Sequence, residues 1–105
     1  MALGMIEVYG FATAIVVADT MAKAADVEVV AIDKNKPAGG DSARVPLVMA
    51  VKVEGSAAAV EAAVAAGRAA AEQRALYITH KVIARQSDEI EWFARLNALG
   101  KDKLR

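Results

Sequence analysis

The chain contains no cysteine, which excludes disulfides, thiolate nucleophiles and cysteine-based metal sites together. Aromatic residues make up only 5% of it, although 56% is hydrophobic. Its apolar content is therefore mostly small and aliphatic, with alanine foremost. Neither sign of charge is in excess, since 13 basic residues balance 13 acidic ones. That argues against a nucleic-acid binder built on a strongly basic domain. Long hydrophobic runs are missing too. Gly4, Glu7 and Gly10 break up the N-terminal apolar stretch, and no segment approaches the roughly 20 apolar residues that span a bilayer. A soluble cytosolic protein with no membrane partner is expected.

What is present fits one domain, since 105 residues suffice for a single core and little superstructure. Residues 2–8 read as a strand and 11–25 as a helix. Asp19, Lys23 and Asp26 form a narrow polar stripe on that helix, so it must be covered on more than one side. Residues 28–33 form a second strand with β-branched Val29, Val30 and Ile32. The stretch from 2 to 33 therefore carries more apolar surface than one small domain hides, which points to burial against further copies. Residues 34–46 are the one break in composition. Pro37, Gly39 and Gly40 deny them regular structure, and Asp41 and Ser42 suit turns. Strand character resumes over 47–54. Ser56 is placed to cap a helix running to Gln73, with Glu61, Arg68 and Glu72 along one line. Residues 76–83 form a fourth strand. A last helix is expected over 87–99, capped by Ser87, with Asp88 and Glu89 in its first turn. Gly100 would end it, before the basic residues Lys101, Lys103 and Arg105. The expected fold is α/β (α+β): a ferredoxin-like β-α-β-β-α-β order, an antiparallel sheet with helices on one face, and a C-terminal helix.

The residues narrow this further. Ala2-Leu3-Gly4-Met5-Ile6-Glu7, then Gly10, then Ala18-Asp19-x-Met21-x-Lys23-Ala24-Ala25-Asp26-Val27 form one block. Asp33-Lys34 and Gly55-x-x-x-Ala59-Val60-x-Ala62-Ala63-x-x-Ala66-Gly67 follow, with a looser Val82-Ile83-x-Arg85. This pattern resembles the bacterial microcompartment shell proteins of the single-domain, hexamer-forming class. The resemblance implies a shell domain over residues 1–86, followed by a C-terminal helix and basic tail over 87–105. It implies six subunits in a disc, discs tiling with each other and with other shell proteins, and a shell in the bacterial cytoplasm that encloses enzymes. The loop after the second strand would line an axial pore for small metabolites, through Lys34, Asn35, Lys36, Ala38, Gly39, Gly40, Asp41, Ser42 and Arg44. Lys23 and Arg85 take the positions of the family's disc-edge residues. The chain departs from the family pattern in its longer loop, in Ala84-Arg85-Gln86 where a proline-rich run is usual, and in Lys81 where histidine is common.

Within that loop Lys34, Lys36 and Arg44 outnumber Asp41, so a ring of copies would present a basic mouth to anionic metabolites. A solvated loop that only aids solubility is the plainer reading. Lys23 can equally serve as an ordinary partner of Asp19 one helical turn away, and Arg85 as an exposed side chain. His80, the one histidine, has neither ligand-spaced carboxylates nor a nucleophile nominated beside it. No metal, cofactor or catalytic residue is expected, and His80 is read as a surface or interface residue. Trp92, Phe93 and Leu96 can dock cargo or a neighbouring disc, or seal the last helix onto its own or an adjacent subunit, and self-packing is the commoner outcome. A trimeric, PII-like small-molecule sensor shares the element order and a long loop after the second strand. An RNA-recognition module also shares the order, but needs aromatics on its third strand, and 47–54 has none.

Overall fold

In the computed structural model, residues 1–35, 39, 42 and 47–97 are described. The chain runs β1 (Ala2–Tyr9), α1 (Phe11–Ala24), β2 (Val27–Asn35), β3 (Val48–Gly55), α2 (Ala57–Gln73) and β4 (Tyr77–Ile83). A 3-10 turn (Asp88–Ile90) and a one-turn helix α3 (Glu91–Ala94) follow. The strands form one antiparallel sheet in the order β2-β3-β1-β4, which is the expected ferredoxin-like arrangement.

Period-two alternation sorts the side chains. Ile6, Val8, Met49, Val51 and Val53 point to the face that carries α1 and α2, and join Val17, Met21, Val60 and Val64 in the core. Two glycines set how closely the layers approach. A Cβ on Gly4 would lie 2.6 Å from Val60 Cγ1, and one on Gly67 would lie 2.8 Å from Met21 Cγ. Both side-chain caps read from the sequence are formed. Ser56 Oγ accepts from the Ala59 amide at 3.1 Å, and Ser87 Oγ from the Glu89 amide at 3.2 Å.

Two expectations need correction. The second strand does not stop at residue 33, because Lys34 pairs with Met49 and Asn35 with Val48. The ladder continues past the last apolar residue because backbone pairing is indifferent to a polar side chain at an exposed strand end. The last helix is also shorter than 87–99. It breaks into a 3-10 turn and one turn of α-helix, with Leu96 N donating to Phe93 O. The carbonyls of Phe93 and Leu96 are instead taken by a lysine of the sheet.

Candidate functional site

The sheet has two ends, and the residues singled out above divide between them. At one end Asn35 and Tyr9 both pair with Val48, and Gly10 N donates to Leu47 O at 2.8 Å. The loop therefore leaves β2 beside the turn into α1. Lys34 and Asn35 are exposed strand residues here. Asp33 Oδ1 accepts from the Lys34 amide at 2.8 Å. Ser42 donates its hydroxyl to Gly39 O at 2.6 Å. Lys36, Ala38, Gly40, Asp41 and Arg44 lie outside the described residues. Phe11 and Ile15, one helical turn apart at the start of α1, are 46% and 43% exposed, and so extend an apolar stripe from this same end.

At the opposite end Gly55 pairs with both Ala2 and Val27, and Leu3 pairs with Ile83. Lys23 occupies the last turn of α1, where the helix dipole favours a cation. Its ammonium lies 2.8 Å from Asp19, with both side chains exposed, so the pair contributes at most about 1 kcal/mol. Arg85 follows β4 and is exposed. Lys23 precedes β2 and Arg85 follows β4, the two edge strands, which stand about 14 Å apart at ~4.8 Å per strand. One copy does not bring these two cations together.

With both ends placed, the chain can be set beside known proteins. Residues 2–86 match the family model described as the BMC domain. The chain belongs to that family. It is 41% identical over 88 residues to the bacterial microcompartment shell protein PduK of Citrobacter freundii, covering 84% of this chain and 51% of PduK. It is 41% identical over 91 residues to the shell protein EutK of Escherichia coli (strain K12), covering 87% of this chain and 49% of EutK. A solved microcompartment protein from Desulfitobacterium hafniense DCB superposes with a TM-score of 0.71 at 35% identity, covering 87% of this chain and 47% of that one. The chain spans about half the length of the curated relatives it matches. Nothing in these likenesses supports the PII-like alternative, and the match runs through every strand on which that reading drew.

The BMC domain has a third polar cluster, which sequence reasoning missed. Lys52 and Glu54 lie on β3, opposite Met5 and Leu3, on the sheet face without α1 and α2. Both are buried, at 1% and 4% exposure. Lys52 Nζ donates to Phe93 O at 2.8 Å and Leu96 O at 3.2 Å, and stands 4.0 Å from the Phe93 ring centre and 3.7 Å from Asp33 Oδ2. Burial pushes the Lys52 ammonium below its ordinary range, and the Asp33 carboxylate opposes that shift. Glu54 accepts from Arg95 at 2.9 Å and from the Gln86 side-chain amide. The signal was available in Val51-Lys52-Val53-Glu54, where charges alternate with valines. In an interior strand such charges need partners on the second face.

His80 is half-buried on β4. Its Nδ1 shares a 2.6 Å hydrogen bond with the Tyr77 hydroxyl, and the Arg68 guanidinium lies 4.8 Å from the Tyr77 ring centre. Arg68 and His80 border an open groove of about 490 Å³ between α2 and β4. Among the described residues no three His, Asp or Glu side chains are placed to hold a metal ion. Phe93 seals the C-terminal segment onto Lys52, as expected of it, while Trp92 and Leu96 stay 67% and 46% exposed.

Proposed function

We propose that the chain is a structural, non-enzymatic shell subunit of a bacterial microcompartment. Six copies form a ring, with residues 34–46 around its axis and Lys23 and Arg85 at its rim. Rings then tile with each other and with other shell proteins into a layer in the bacterial cytoplasm that encloses enzymes. One observation carries this reading. In a chain of the BMC family, the candidate loop and the candidate rim residues leave opposite ends of a single sheet. Nine residues of β2, Val27–Asn35, span about 26 Å at ~3.3 Å each. An element of that length can reach from an axis to a rim. The exposed Phe11 and Ile15 at the axial end then find cover against a neighbouring copy.

Small metabolites cross at the axis, and the excess of lysine and arginine in the loop favours anions by raising their local concentration. Electron microscopy with mass measurement of the purified protein tests the assembly. Hexagonal discs with an axial feature, in sheets or tubes, are expected. A stable trimer that binds nucleotide overturns the proposal. Neutral replacements of Lys34, Lys36 and Arg44 should lower anion flux through an assembled layer, and unchanged flux leaves the loop as a spacer.

A further inference from the structure

The segment after β4 crosses the whole sheet on the face away from α1 and α2. Gln86 N donates to Met1 O at 3.0 Å beside β1, Arg95 and Phe93 meet Glu54 and Lys52 on β3, and Asn97 Oδ1 accepts from the Ile32 amide of β2 at 3.4 Å. β2 is an edge strand, so Asn97 occupies a backbone donor that the sheet leaves open. Leu3, on this same face, is fully buried.

We propose that residues 86–97 are a hinged strap that opens and closes as a unit over Lys52 and Glu54, and that closing it also seals the β2 edge beside Asp33. Three observations support an opening strap. Its helical content is a 3-10 turn and four residues of α-helix, too short to hold together apart from the sheet. Its grip is polar, so the closed state desolvates a lysine and a glutamate that water rehydrates when the strap lifts. Closure also leaves Gln86 Oε1 buried without a partner among the described residues, one acceptor that opening satisfies. The uncovered face would be a mixture of Leu3, Ala31, Lys52 and Glu54, which water tolerates better than the valine-lined helix side. Lys52 links the two effects, since its ammonium touches both the strap carbonyls and Asp33, whose other oxygen holds the Lys34 amide.

This inference concerns one subunit and stands apart from the ring reading, which mass measurement on the same samples tests separately. Hydrogen exchange on the full chain, followed by mass spectrometry with residue resolution, tests it. In the wild type, strap amides and the Ile32 amide should exchange together and faster than the Val51 and Val53 amides. Lys52→Met should speed both roughly tenfold or more and leave the β1–β3 ladder unchanged. Arg95→Ala, at a half-exposed side chain, should do the same more weakly if the methionine variant fails to fold. Strap amides that exchange only as fast as the β3 core overturn the hinge. Strap amides that accelerate while Ile32 does not overturn the seal on β2.

Discussion

On one side of β3, Met49, Val51 and Val53 meet the apolar sides of α1 and α2; on the other, Lys52 and Glu54 meet the backbone and side chains of the strap. Both faces of the strand are equally buried, yet they are held differently. The helix face relies on area removed from water and on close approach at Gly4 and Gly67, so any atom added or removed there is felt. The strap face relies on matched donors and acceptors around two charges. Its contribution is a small difference between desolvation and pairing. The comparison teaches that burial alone does not rank the importance of a residue to stability. What the buried atom touches does.

The largest effect should come from the helix face. Ile6→Ala, at a fully buried position, should destabilise the subunit by about 2–5 kcal/mol in chemical denaturation. Gly4→Ala should follow at about 1–3 kcal/mol, because the new methyl would stand 2.6 Å from a stiff valine. Glu54→Ala leaves the Gln86 amide without its acceptor, and should destabilise by about 1–3 kcal/mol. If Glu54→Ala matched Ile6→Ala, the distinction between the faces would fail.

Lys52 sharpens the comparison through pH. Its folded-state pKa is lowered from 10.5, so the unfolded chain holds this proton up to higher pH than the folded one. Stability then rises with pH through the window between the lowered value and 10.5, by at most about 1.4 kcal/mol per pH unit. The difference in denaturation free energy between wild type and Lys52→Met should show that rise, and a flat difference counts against a desolvated Lys52. The smallest effect on stability belongs to Lys23→Ala. It should change subunit stability by less than about 1 kcal/mol and abolish sheets while leaving discs. Sheets that persist remove Lys23 from the rim.

The helix face was legible in the sequence because its signals are periodic and local. Alternating apolar residues in the strands, a narrow polar stripe on α1 and a serine cap on α2 each follow from spacing. The strap face was not legible, because its energetics rest on contacts about forty residues apart. The sequence reading ran one helix through 87–99, as Ile90, Trp92, Phe93 and Leu96 fit helical spacing. That pattern does not reveal that Lys52 takes the Phe93 and Leu96 carbonyls. The end of β2 was missed for a related reason: Lys34 and Asn35 read as loop, although their pairing with Met49 and Val48 depends on backbone alone. At the two ends of the sheet, motif singles out Lys23, Lys34 and Arg85 as candidates, and topology gives their separation.

One irregularity in β2 has a consequence for how this chain tolerates change. The register with β3 shifts between Val29 and Ala31, so that Val29 pairs with Val53 but Ile32 with Val51. The extra residue reverses the alternation partway along the strand. It sends Ile32 to the core and Asp33 to the Lys52 side, where a regular strand would do the opposite. Residue count in this strand thus sets which half of the sheet each side chain serves. A one-residue deletion at Val30 would leave Ile32 opposite Val51 and Asp33 opposite Ala50, because without the extra residue the remaining pairs follow one another regularly. The bulge thus gives β2 one residue of slack in length, and pairing that used Val30 in place of skipping it would turn Ile32 toward Lys52 and Asp33 toward the core.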